Sequence, residues 1–295
     1  MRALGLTPGT AIDVVIFAIS ALGLNLLVGH TGLTSFGHGA FFGIGAYAAA
    51  LSQKHWFEGQ LILPLLFAVA FSAVLATVIG ALILRRRGVY FSLLTLAFSA
   101  LTYAIAFRWT SFTGGENGLG NVVRPAIGVV RLDEAVPYLI AVSAIGWLVL
   151  FFNWRLLRSP FGHVMAAIRE NEQRAQFQGY NTQRYKWVVF ILSATVTGLA
   201  GALLAFHHRF ASADPTSVAF SGEMLAIVVI GGMHSLLGPV IGAFFYILFR
   251  EFLSIWTPNW LLYFGLLFVG FIIFSPNGLV GVWARIAQRW NPLPE

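Results

Sequence analysis

The chain has 295 residues, 58% of them hydrophobic and only 10% charged, and its mean hydropathy is +0.80. Soluble domains carry about 25% charged residues, so a soluble enzyme or soluble binding domain is excluded, and the net charge of +7 points to cationic loops beside a membrane rather than to nucleic acid. Cysteine is absent, which removes disulfides, thiolate catalysis and Cys-ligated metals.

Apolar blocks lie near 11–29, 32–52, 61–84, 89–108, 136–152, 187–207, 222–251 and 260–275. Crossing a hydrocarbon core of about 30 Å takes roughly 20 helical residues, and the blocks are continuous rather than alternating, which excludes a β-barrel. The expected fold is all-α, a polytopic transmembrane helical bundle of about eight spans, forming a single domain over 1–295. The first block is too long for a signal-peptide core and is expected to be retained. Two helices are interrupted by glycine-rich breaks, "VGHTGLTSFGHG" at 28–39 and "GGMHSLLGP" at 231–239. Backbone groups freed at membrane depth need protein or water partners, so each break marks a protein-buried or water-lined region. "TSFGHGAFFGIGAY" and "HSLLGPVIGAFFY" are weakly similar and suggest an internal repeat.

Gly39, Gly43, Ala46 and Ala50 project within about 40° of one another on a helix, and Gly198, Ala202 and Ala205 form a second small-residue face. Such faces admit a close helix, from this chain or from a partner. Translocation-path candidates are Asn25, Thr31, Ser35, His38, Glu223, Gly231 and Gly232. Two readings fit Glu223, a carboxylate complementing the start of its helix at the interface or one lining a path; Asp13 shares that ambiguity. Two also fit His30 and His38, which either line the path or bond a neighbouring helix. "SFTGGENGLGNV" at 111–122 reads as a shaped loop, with Gly114, Gly115, Glu116 and Asn117 at its turn.

Cations cluster at Arg85, Arg86 and Arg87, at Arg155, Arg158, Arg169, Arg174, Arg184 and Lys186, and at Arg285 and Arg289. The loops near 53–60, 109–135 and 208–220 hold fewer cations and most of the acids. By loop charge the central loop and C-terminus are cytoplasmic, and the same parity puts the N-terminus outside, against the charge of Arg2. Within the central loop 153–186 lies "AAIRENEQRAQFQGY". Pro160 opens a helix-compatible run and Gly179 supplies its stop. Val164, Ile168 and Ala175 share one edge of that run, while Arg169 and Gln173 lie opposite. This amphipathic helix either docks into a groove on a soluble partner or lies solvated against lipid headgroups.

Stretches 23–51, 166–194 and 221–243 together resemble the M-type inner-membrane permeases of branched-chain amino acid ABC importers. In that family the central loop resembles a coupling loop of the pattern Glu-Ala-Ala, three residues, Gly. Here it reads Gln173, Arg174, Ala175, then Gly179, so only the last Ala and the Gly match. The resemblance implies ATPase coupling through Val164, Ala167, Ile168, Arg169, Glu170, Asn171, Ala175 and Gly179, and contact of the 111–122 loop with a periplasmic or lipid-anchored substrate-binding protein. It also implies a paralogous H-type permease, two cytoplasmic ABC ATPase subunits and a multi-pass place in a bacterial or archaeal inner membrane, among lipid. No cofactor is expected on this chain, with ATP and Mg carried by the partner subunits. Independently, there is no G-x-x-x-x-G-K-[ST] loop, and the only lysines, Lys54 and Lys186, follow no such pattern. The expected function is ATP-driven import of branched-chain amino acids by alternating access, with urea, amides or aromatic acids as alternative solutes. An ion-coupled secondary transporter is a further alternative, but it would need membrane-embedded ionisable pairs, and few are present. A membrane hydrolase built on Ser35 with His207 or His208 lacks G-x-S-x-G and H-E-x-x-H.

Overall fold

The computed structural model describes residues 7–86, 88–123, 126–127, 130–132, 134–275 and 278–282. Arg2, Arg87, Arg285 and Arg289 lie outside them, so the charges they were expected to place are not described. The elements run α1 (Pro8–Thr31), α2 (His38–His55), α3 (Ile62–Ile83), α4 (Val89–Arg108), α5 (Thr110–Thr113), the two-residue strands β1 (Ala126–Ile127) and β2 (Val130–Arg131), α6 (Ala135–Leu157), α7 (Pro160–Glu170), α8 (Glu172–Phe177), α9 (Thr182–His208), α10 (Val218–Gly231), α11 (Gly238–Trp256) and α12 (Trp260–Phe274). Among the described residues, α1, α3, α4, α6, α9 and α11 are long and apolar enough to cross a membrane, and α10 and α12 are shorter apolar helices. The block 222–251, expected to be interrupted, is two helices, α10 and α11, parted at its glycine break. The chain is an all-α polytopic bundle, and β1–β2 is a small antiparallel hairpin within the α4–α6 connection.

At the core α1 and α9 pack together and against α2, α3, α10 and α11. They run in opposite senses. Asp13, near the start of α1, faces His207 and His208 at the end of α9. The end of α1 meets Arg169 on α7. One face of the bundle thus carries α7 and α8, here the island face; the far face carries the 109–134 connection, where Leu119 bridges to Ala211 just after α9.

The first break falls where a helix begins halfway through the bundle, whereas the second, 231–239, is the turn between α10 and α11. After α1, residues 32–37 form an irregular link beside α4, with the Phe36 amide donating to Thr95 Oγ1 at 3.1 Å and Ser92 Oγ donating to the Thr34 carbonyl at 2.7 Å. Only at His38 does α2 start, level with Ser193 in the middle of α9. After α9 the chain likewise turns back inward. Ser99, in the middle of α4, donates to the Thr216 carbonyl at 2.8 Å, and α10 starts there, N-capped by Ser217. The two starts touch: the Gly39 amide donates to Ser221 Oγ at 3.0 Å. Freed backbone groups at mid-depth are thereby met by side chains, as the low dielectric demands.

Helices α1–α4 and α9–α12 follow one plan in opposite directions: long helix, inward segment, shorter helix starting at mid-depth, two more helices. This corrects the expected repeat. Residues 34–47 lie at the start of α2, whereas 234–246 lie in the α10–α11 turn and first half of α11; the equivalent of α2 is α10.

The small-residue faces are consumed inside the chain. A Cβ on Gly45 would overlap the backbone of Gly198, one on Gly201 would overlap the Phe42 carbonyl, and one on Gly43 would overlap Thr216. Ala46, Ala50, Ala202 and Ala205 are buried. Neither face is left for a partner helix. This also explains the modest apolarity of α2, which is wrapped by protein rather than lipid.

Candidate functional site

The charged island is two helices, not one. Ser159 caps α7 through the Gly162 amide, with Pro160 at the first helical position. At Asn171 the backbone is extended (φ −158°, ψ 100°), and its side chain caps α8 by accepting from the Arg174 amide at 2.9 Å. Gly179 stands at φ +91° with open space around its Cα, the left-handed stop that glycine takes without strain. Lys186 pairs with Glu172 at 2.5 Å, and Thr182 Oγ1 donates to Glu172 at 3.2 Å, so α8 is stapled to the first turn of α9.

The expected docking edge is turned inward. Val164, Ile168 and Ala175 are buried together, with Ala167 and Tyr185 packed against them; they hold α7, α8 and α9 to one another and are not offered to a partner. The amphipathic pattern was real, but its apolar side is used within the island. The residues the island exposes include Arg169, Glu170, Asn171, Gln173, Arg174, Gly179 and, above all, Phe177, which is 91% exposed. Phe177 was missed in the sequence. Its signal was an aromatic in an otherwise polar turn.

Arg169 is exposed, but its guanidinium reaches back to the bundle. Its Nη1 donates to the Gly29 carbonyl at 2.7 Å and its Nη2 to His234 Nε2 at 3.2 Å. Burial first, and the Arg169 charge second, hold the His234 ring below its ordinary value of 6.5, which leaves Nε2 free to accept. Asn25 Nδ2 donates to the Ser235 carbonyl at 3.3 Å and lies 3.4 Å from His30 Nε2. Gly231 and Gly232 form a tight turn, since a Cβ on Gly231 would overlap the Gly238 carbonyl and Gly232 stands at φ +116°. Asn25, Gly231 and Gly232 are thus brought together, in a joint beneath the island. Thr31 is bonded back to the Leu26 carbonyl at 2.9 Å.

Ser35 and His38 are not on an open path: both are fully buried. One proton arrangement satisfies the chain of bonds. Ser193 Oγ donates to the Gly23 carbonyl at 2.6 Å, so it accepts from His38 Nε2–H at 2.7 Å, and His38 Nδ1 accepts from Ser35 Oγ at 2.9 Å. This pins the start of α2 to α9 and α1, with Ser35 buried in the bond chain. We expect His38→Phe to cost about 1–3 kcal/mol, because Ser35 is left buried without an acceptor. Adding Ser35→Ala should recover part of the loss, read by thermal unfolding in detergent; an unchanged melting temperature in His38→Phe contradicts the pinning role.

Glu223 is half-buried on α10 and accepts from Tyr246 Oη on α11. Arg250, also on α11, lies 3.6 Å from Asp13. His207 and His208 stand 3.6 and 3.5 Å from the same carboxylate, so Asp13 belongs to a packed cluster rather than to open space. Gly114 and Gly115 adopt positive φ (78° and 61°), and Glu116 and Asn117 follow in a 3₁₀ turn, all in the far-face connection. A cleft of about 530 Å³ between α2, α3 and α4 is lined by Tyr47, Leu51, Phe67, Phe71 and Phe98 among others. Among the described residues no cluster of His, Asp or Glu is arranged to hold a metal.

A bundle of membrane-length helices with two shorter helices starting side by side at mid-depth, and an organised charged island on one face, defines a multi-pass membrane protein. The profile described as "Branched-chain amino acid transport system / permease component" matches residues 7–276, and the chain belongs to that family. It is 32% identical over 291 residues to the high-affinity branched-chain amino acid transport system permease protein LivM of Salmonella typhimurium, covering 90% of this chain and 68% of that one. The probable branched-chain amino acid transport permease LivM of Methanocaldococcus jannaschii is 25% identical over 92% and 84% of the two chains. A 123-residue stretch, 38% of this chain and 35% of the other, is 33% identical to the autoinducer 2 import system permease protein LsrC of Escherichia coli O157:H7. No solved structure matches the chain.

Proposed function

We propose that this chain is one permease subunit of an ATP-driven importer that carries branched-chain amino acids across an inner membrane. The observation that carries the reading is the α7–α8 island: a helix pair braced from within, with a bare aromatic at its tip, on a chain that belongs to a transport permease family. In this reading the island face is cytoplasmic. Two ABC ATPase subunits dock there, one of them on α8, and they carry ATP and Mg; this chain binds no cofactor and catalyses nothing. The far-face loop at 114–117 meets a substrate-binding protein, and a paralogous H-type permease supplies the other half of the pore. Closure of the ATPases on ATP moves the island, the bundle opens toward the binding protein, and hydrolysis resets it.

Purified alone, the chain should show no ATP hydrolysis, having no phosphate-binding loop. Purified through a tag from cells expressing its native partners, it should come as a four-chain core with ATPase activity and ATP-dependent uptake of leucine, isoleucine or valine in vesicles. An active complex of two copies of this chain with two ATPases refutes the heteromeric part; uptake without ATP refutes the reading as a whole.

A further inference from the structure

We propose that Arg169 is the strut through which movement of the island reaches both glycine breaks at once, making it a positioning residue for the transport step. This rests on the reading of the island as the ATPase-facing element. The last four carbonyls of a helix lack intrahelical partners, and the Gly29 carbonyl, in the last turn of α1, takes its partner from α7: Arg169 Nη1 at 2.7 Å. A bond from a guanidinium is directional and roughly twice as strong as a neutral one. The second arm of the same planar group reaches His234, in the turn between α10 and α11. Gly29 is also where those two elements touch, because a Cβ there would overlap the Met233 carbonyl.

Three moving parts therefore converge on one side chain: the island, the end of α1 that leads into the 32–37 break, and the α10–α11 turn. Asn25 ties α1 to the α10–α11 turn by donating to the Ser235 carbonyl, but that bond does not reach the island. Met165 packs into an apolar cluster with Leu26 and Leu27, a contact that is not directional. Beside Arg169, between α7 and the 31–34 link, lies a cavity of about 310 Å³, so the island and the link are not packed flush there. Arg169 also lies against the left-handed Gly32, whose added Cβ would stand 3.2 Å from Arg169 Cγ. A lysine at 169 could reach one acceptor but lacks the fork that spans two.

The chain has no cysteine, which permits spin labels at chosen positions of the full complex. Labels at Gln173 on α8 and Leu237 in the α10–α11 turn, each paired with one at Arg209 on the far face, report the island and the turn separately. In the unsubstituted complex, both distances should change together when ATP with vanadate is added. In Arg169→Ala the island distance should still change and the turn distance should not, and uptake per ATP hydrolysed should fall about tenfold, the size of a typical coupling between sites. Arg169→Lys should recover only part of it. If the turn still follows the island in Arg169→Ala, or uptake per ATP is unchanged, the strut is overturned; so it is if subunit yield falls in step with uptake, since the residue is then structural. If the unsubstituted complex shows no ATP-driven uptake, the underlying reading of the island fails instead.

Discussion

Gly45→Val or Gly201→Val should abolish the folded chain, while Gly265→Ala and Gly270→Ala leave it intact. The first pair sit where α2 crosses α9. The atoms an added Cβ would strike are backbone: the Gly198 carbonyl group for Gly45 and the Phe42 carbonyl group for Gly201. No side chain can rotate away, so the helices must separate, and with them go the contacts of α2 to its main neighbour. Overpacking typically costs 1–3 kcal/mol where side chains can yield; at a backbone crossing we expect about 3 kcal/mol or more, against a typical total stability of about 5–15 kcal/mol. Gly265 and Gly270, on α12, have nothing within reach of an added Cβ, and glycine in a helix interior is itself worse than alanine by about 0.5–1 kcal/mol. The check is fluorescence-detected size exclusion of the tagged chain in detergent. A sharp monodisperse peak for Gly45→Val at normal yield contradicts the close crossing.

The contrast between those glycines shows what was legible in the sequence. Continuous apolar runs announce membrane helices because hydrocarbon tolerates nothing else, and α1, α3, α4, α6 and α9 follow the expected blocks within a few residues. The two glycine-rich breaks were also legible, as interruptions of apolar runs. Where the helices beside them start was not. That α2 and α10 start at mid-depth depends on partners more than 100 residues away, Ser193 for His38 and Ser99 for Thr216, and no local pattern encodes them. The small-residue faces gave a true signal of close approach without naming the neighbours, which proved to be this chain's own 215–221 segment for the α2 face and α2 and α3 for the α9 face. The inverted relation of α1–α4 to α9–α12 leaves almost no trace in residue identity, because it is a likeness of helix plan. In the island, periodicity identified Val164, Ile168 and Ala175 as an apolar edge but could not say which body covers it. Arg169 was singled out as a polar residue opposite that edge, but its two acceptors, in α1 and the α10–α11 turn, are distant in sequence.

Phe177→Asp should remove ATP-driven uptake and strip the ATPase from the purified complex, without unfolding this chain. Phe177 ends α8, with 91% of its surface exposed and no ring contact among the described pairs. The polar residues Gln176 and Gln178 flank it, and Gly179 turns the chain away immediately after. A phenylalanine left bare at the tip of a helix loses nothing within its own chain when replaced, yet burying such a side chain on a partner gains about 1.5–3 kcal/mol, in the range of an interface hot spot. Loss of about 2 kcal/mol weakens docking roughly 30-fold, and aspartate adds the cost of desolvating a charge in the pocket. Phe177→Leu should retain most of the docking. The matching control is Ala175→Arg two residues away: Ala175 is 1% exposed in the Val164–Ile168 cluster, so that change should instead disorder the island and lower the yield of the chain itself. Native mass spectrometry of tagged complexes separates the two effects. Full ATPase retention in Phe177→Asp with normal uptake would show that the partner grips another part of the island; a fall in the yield of the chain alone would show that Phe177 packs within it.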